Sequence, residues 1–244
     1  MLISEGPARS PAVDRRLACL MALVAGALNA AGFDAVGVFS ANMTGNVSTL
    51  ADHVALGELL AGSFSLAVVG SFVLGAALSS FVTSAGKRRG LGGIYALAVL
   101  AEAGLLALLG GAELCLPAAA RAPVLVFGLS FLMGLQNAVV TRISDARVRT
   151  THVSGMATDV GIGLGCLAEL ALRGEPAEAA RPHRDRLKLH GATILSFCLG
   201  GVLGVFAFRA VGALLLFAAA ALLAAAALPA LLRTRPRPGV APGP

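Results

Sequence analysis

Tryptophan is absent from this 244-residue chain, tyrosine occurs once, and charged residues make up only 13% of it. A soluble domain carries roughly 25% charged residues. That deficit, with 57% hydrophobic residues and a mean hydropathy of +0.84, excludes a water-soluble fold. With so little Trp and Tyr, the usual interfacial aromatic belt of a membrane protein is almost missing. The four cysteines, Cys19, Cys115, Cys166 and Cys198, have no C-x-x-C spacing, so they read as small packing residues, with no disulfide framework and no metal site. No Ser/His/Asp set, HExxH or Walker A pattern occurs, so nothing points to an enzyme, a catalytic residue or a cofactor. Gly161, Gly163 and Gly165 form G-x-G-x-G, but no strand precedes them and no βαβ pattern surrounds them, which excludes a dinucleotide site.

The chain does contain six apolar stretches long enough to span a bilayer, at 17–38, 62–82, 91–109, 124–140, 191–208 and 211–232. Each approaches the roughly 20 residues that a 30 Å hydrocarbon slab requires. In lipid such stretches are helical, because every backbone N–H and C=O needs an internal partner. The expected fold is all-α integral membrane, with a cytoplasmic tail at 1–16, one transmembrane domain at 17–232 and a disordered cytoplasmic tail at 233–244. Arg15 and Arg16 before an apolar run imitate a signal peptide, but an internal copy of the same segment later in the chain argues against cleavage.

The formal net charge of +6 is better explained by placement than by nucleic acid. With a cytoplasmic N-terminus and six spans, 17 of the 19 Lys and Arg fall on the cytoplasmic side, leaving only Arg121 and Arg209 outside. That satisfies the positive-inside rule and puts both termini in the cytoplasm. Were either of two polar segments, about 42–58 and 152–172, to cross fully, a downstream basic cluster would flip outside. Both are therefore expected to be re-entrant or interfacial half-helices. The loop at 173–190, with His183 and His190 among basic residues and acids, reads as solvated and suited to anionic headgroups.

Two patches recur in order. G-x-x-N-A appears at Gly26, Asn29, Ala30 and again at Gly134, Asn137, Ala138, an offset of 108. A-N-M-T-G-N-V-S-T-L at 41–50 aligns with T-H-V-S-G-M-A-T-D-V at 151–160, pairing Thr44 with Ser154, Gly45 with Gly155 and Ser48 with Thr158 at an offset of 110. Two halves, about 17–112 and 122–232, each with three spans, then face opposite ways. Such inverted repeats, with polar breaks at matching positions, are common in secondary transporters and point to a binding site. Small residues at four-residue spacing, Ser71, Gly75 and Ser79 in one half and Gly200 and Gly204 in the other, are expected where helix backbones approach closely.

Candidate solute-binding residues are Asn29, Asn42, Thr44, Gly45, Asn46, Gln136, Asn137, His152, Ser154, Gly155 and Thr158. Thr44 is read as a helix N-cap and Ser154 as its counterpart, aiming two positive dipole ends at an anionic group or against cations in a pore. The amides of Asn29, Gln136 and Asn137 require partners at membrane depth: they either bond the motif of their own half or face a cavity. Ionisable groups in spans are candidates for proton or ion coupling by default. Glu102 is the clearest, with Asp34 and Asp159 near the motifs, and His152 titrates near neutral pH. The alternative for Glu102 is a neutral acid bonded to a neighbouring helix.

F-S-A-N-M-T-G-N-V at 39–47, M-G-L-Q-N-A at 133–138 and R-T-T-H-V-S-G-M-A-T-D-V-G at 149–161 resemble the YoaK family of bacterial membrane proteins, also known as DUF1275, from residue 17 to about 232. The resemblance implies a six-helix protein of the bacterial inner membrane and supplies no substrate. The family pattern usually has an acid where Asn29 stands and Thr where Ser154 stands. If that acid carries coupling, Asn29, which cannot titrate, implies a different mechanism here. The expected function is secondary transport of a small polar or anionic solute across the lipid bilayer. A channel, or a non-transporting membrane scaffold, is the alternative. Homo-oligomerisation is left open.

Overall fold

The computed structural model describes residues 1–2, 5–6 and 9–233. The tail expected beyond 233 lies outside them. The described residues form eight α-helices: α1 (Pro11–Val36), α2 (Met43–Ala55), α3 (Leu59–Arg88), α4 (Ile94–Cys115), α5 (Ala118–Ile143), α6 (Val153–Leu172), α7 (Ala177–Val211) and α8 (Leu214–Arg233). Seven, all but α2, are long and apolar enough to cross a membrane. Six of these coincide with the six apolar stretches; the seventh is α6, expected as a half-helix.

Local chemistry sets the helix ends. The Ser10 hydroxyl accepts from the Val13 N–H at 3.4 Å, and Pro11 occupies the first turn, where its missing N–H costs nothing. Gly37, at φ 78°, stops α1 in the left-handed conformation that glycine adopts without a Cβ penalty. Lys87 and Arg88 close α3 where the helix dipole is negative.

The buried core lies among α1, α4, α5 and α8, around Leu17, Met21, Tyr95, Leu106, Leu129, Met133 and Leu223. Outside it, α3 and α7 expose apolar residues such as Leu74, Phe81, Leu199 and Phe206, as helix faces in contact with lipid do. α1 packs along α7, α3 along α5 and α4 along α8, while α2 lies on α3, α6 on α7, and α1 crosses α5.

The small residues sit at the closest of these approaches. A Cβ on Gly26 would overlap the backbone carbonyl of Phe197, and one on Gly200 that of Leu23; in the other pair, Gly134 faces the Phe72 carbonyl and Gly75 that of Phe131. At one end of the bundle the basic residues gather. Lys87 pairs with Glu5 at 2.6 Å and Arg147 with Asp14 at 3.4 Å, and Arg147 also donates to the Gly6 carbonyl. Leu2 is buried in the core.

Candidate functional site

After α1 the chain folds back on itself. Phe33 and Phe39 stack at 4.1 Å between ring centroids, and the Ala41 N–H donates to the Asn29 carboxamide oxygen at 2.8 Å in a buried position. Asn42 then caps α2, accepting from the Gly45 N–H at 3.2 Å. A Cβ on residue 45 would press on the Asn42 carboxamide and displace this cap, so glycine here keeps the cap in place. Asn46 donates to the Phe39 carbonyl at 3.0 Å and so fastens the same turn. The cap is therefore Asn42 and not Thr44, as the sequence suggested: the helix begins at Met43, so Thr44 lies inside its first turn with its side chain free to face elsewhere.

The loop after α5 repeats this construction with different donors. Asn137 holds its own helix through the Met133 carbonyl at 2.8 Å, and its oxygen accepts from the hydroxyls of Thr151 at 3.0 Å and Thr150 at 3.3 Å. The Ser144 hydroxyl donates to the Val140 carbonyl at 2.7 Å and accepts from the Val148 N–H at 3.0 Å. Asp145 and Ala146 both take left-handed backbone, at φ 54° and 59°. α6 begins at Val153, and no side chain caps it. Ser154 is thus no cap either; like Thr44, it lies in the first turn.

The two loops meet at one cavity of about 710 Å³. Asn29, Asn42 and Thr44 line it from one motif, and Thr151, His152, Ser154 and Gly155 from the other. Its apolar walls are Phe39, Met43, Val153, Phe72 and Phe197. Among the described residues, Arg149 is its one permanently charged lining residue. Burial and the Arg149 charge both push the His152 imidazole below its ordinary pKa, which keeps it neutral at pH 7.

The remaining candidates stand elsewhere. Gly45, Asn46, Asn137 and Thr158 shape the motif backbone, Thr158 through its hydroxyl on the Ser154 carbonyl at 3.1 Å. Gln136 donates to Glu102 at 3.0 Å between α5 and α4; both are buried, and among the described residues Glu102 Oε2 and Gln136 Oε1 have no hydrogen-bond partner. Asp34 is held by Arg209, with Arg209 Nε 3.0 Å from Oδ2. Asp159 lies 3.5 Å from His190, on a second cleft of about 380 Å³ that also includes Arg15, Arg147, Arg186 and the same Arg149.

The sequence reading took Arg149 as an inside charge and as the first residue of a family motif, not as a site residue, and it missed Phe72 and Phe197. A signal for the phenylalanines exists: S-F-V-L-G at 71–75 and S-F-C-L-G at 196–200 form a third recurring patch, at an offset of 125. In each, the glycine makes the close helix approach and the phenylalanine three residues before it reaches the cavity.

Fold and site together define a multi-pass, all-helical integral membrane protein in which two folded-back polar segments enclose one cavity. Residues 17–228 match DUF1275, described as a protein of unknown function, and the chain belongs to that family. None of the curated proteins and no solved structure matches it.

Proposed function

We propose that the protein is a secondary transporter of a small polar or anionic solute, built as two inverted repeats with six membrane-crossing helices. The observation that carries this reading is the shared cavity: matching motifs from both halves line it, and α2 and α6 begin beside it. Polar, broken segments of two repeats at a common site are the arrangement by which transporters expose one site alternately to either side.

The packing supports the repeat. Exchanging α1 with α5, α2 with α6, α3 with α7 and α4 with α8 turns the α1–α7 contact into the α5–α3 contact and the α2–α3 contact into the α6–α7 contact. It also turns the approach of Gly26 to Phe197 into that of Gly134 to Phe72.

Six crossings, with α6 not among them, are supported by its register on α7. Asp159 stands beside His190, and a Cβ on Gly163 would lie 3.9 Å from the His183 carbonyl. From Asp159 onward α6 therefore runs along a part of α7 that carries Arg181, Arg184, Asp185, Arg186 and Lys188. Those charges belong in water, and α6 rises with them. With the basic end cytoplasmic, both termini lie inside, in the inner membrane, and Arg209 outside is matched by Asp34.

The test is uptake by proteoliposomes across a panel of polar and anionic solutes, with and without a proton gradient. Saturable uptake of at least one solute is expected. Flux that neither saturates nor follows the gradient would make the protein a channel. Failure of every solute to cross would overturn transport in favour of a scaffold.

A further inference from the structure

We propose that the cavity takes an organic monoanion, a carboxylate on an apolar body, and that Arg149 is the residue that selects it. This rests on the transport reading above and names its substrate class. Two features of the lining carry it. The first is charge. Among the described residues, no Asp or Glu lines the cavity, and Arg149 makes no hydrogen bond or ion pair. An exposed guanidinium with no carboxylate within ion-pair distance among the described residues, at the edge of this cavity, is an open partner for an oxyanion. Its planar fork matches the two oxygens of a carboxylate. Its Nη1 lies over the first turn of α6, 3.7 Å from where a Cβ on Gly155 would stand, so an anion held there also meets the hydroxyl of Ser154 and the positive end of the helix.

The second feature is shape. Phe72 from α3 and Phe197 from α7 line it from the two halves, together with Phe39 and Met43. A bare inorganic ion would use none of that surface. The volume of about 710 Å³ falls within the roughly 300–1,000 Å³ of pockets for organic ligands. Arg149 also lines the second cleft, with Arg15, Arg147 and Arg186 and the carboxylates of Asp14, Asp159 and Asp185, so it is shared by the two cavities, while the acids stand only in the second.

Isothermal titration of the purified full chain with sodium benzoate, benzamide and sodium formate tests this. Benzoate should bind, and benzamide, which lacks the charge, and formate, which lacks the ring, should each bind at least about tenfold more weakly. Arg149→Gln should lower benzoate affinity about 10- to 100-fold, with Arg149→Lys recovering part of it and the thermal midpoint unchanged. Phe72→Leu and Phe197→Leu should weaken benzoate while leaving formate as it was, an arm that does not depend on Arg149 at all. Benzamide binding as tightly as benzoate, or benzoate binding untouched by Arg149→Gln, would overturn the assignment. If benzoate fails to bind while proteoliposomes take up some other solute, the substrate class falls and transport stands; if nothing crosses, both fall.

Discussion

Replacing Gly26 by alanine adds one methyl group where α1 meets the backbone of α7. The obstacle is the Phe197 carbonyl, so no side-chain rotation relieves it and the helices must separate. That also loosens the neighbouring approaches of Gly200 to Leu23 and Gly204 to Ala27. Overpacking of this kind costs about 1–3 kcal/mol, while a helical Gly→Ala change by itself returns about 1 kcal/mol of helix propensity. Gly104→Ala is the control: it is exposed on α4 with nothing within 4 Å of the added Cβ, and it carries the same propensity gain. The difference between the two variants therefore isolates packing at about 1–3 kcal/mol, with each kcal/mol worth about 2–4 °C for a domain of this size. Thermal unfolding in detergent should place Gly26→Ala below wild type or near it and Gly104→Ala at or above it. Gly134→Ala, which meets Phe72 in the same way, should match Gly26→Ala. Equal midpoints for Gly26→Ala and Gly104→Ala would refute the close approach, and a harmless Gly134→Ala would refute the equivalence of the two helix pairs.

Asn29 serves Ala41 only as an acceptor, so Asn29→Asp should keep the thermal midpoint near wild type, whereas Asn29→Leu strands a buried N–H and should cost about 1–3 kcal/mol. At the α4–α5 interface Glu102→Gln can still accept from Gln136 and should change stability by under about 1 kcal/mol, while Glu102→Ala should cost about 1–3 kcal/mol. Proton-driven uptake measured on Glu102→Gln then reports coupling without the confusion of unfolding, and undiminished gradient dependence would exclude Glu102 as the coupling group. Ala146 holds left-handed backbone at φ 59°, a conformation costing a residue with a Cβ roughly 1–2 kcal/mol. Ala146→Gly should therefore raise the thermal midpoint, and a lowered one would contradict that backbone.

The helix layout was legible because lipid permits little else: length and hydropathy located six of the seven helices that are long and apolar enough to cross a membrane. Recurrence at offsets of 108 and 110 made the motifs legible too, and the structure brings Asn42 and Thr44 of one to His152 and Ser154 of the other at one cavity. The caps were not legible, because Asn42 and Thr44 are both good cap residues and only the turn back to Asn29 decides between them. Phe72 and Phe197 lie in unbroken apolar helix, where a cavity-facing ring and a lipid-facing ring look alike; tertiary packing separates them. Arg149 was hidden by its company, one arginine among several inside charges, and its lack of a partner is a property only of the folded chain. For α6, length and charge point in opposite directions: its 20 residues suffice for a span, while from Asp159 onward it lies beside the charged part of α7.

The central claim is that solute moves through the cavity where the two motifs meet. In a chain with Cys19, Cys115, Cys166 and Cys198 replaced by serine, Thr44→Cys and Ser154→Cys each put a thiol on the cavity wall, and Ala168→Cys puts one on an exposed face of α6 away from it. Proteoliposome uptake is then measured before and after complete modification with a bulky methanethiosulfonate reagent. Modification at either 44 or 154 should abolish uptake, while modification at 168 leaves it intact. Uptake that continues with both 44 and 154 fully modified would contradict the account.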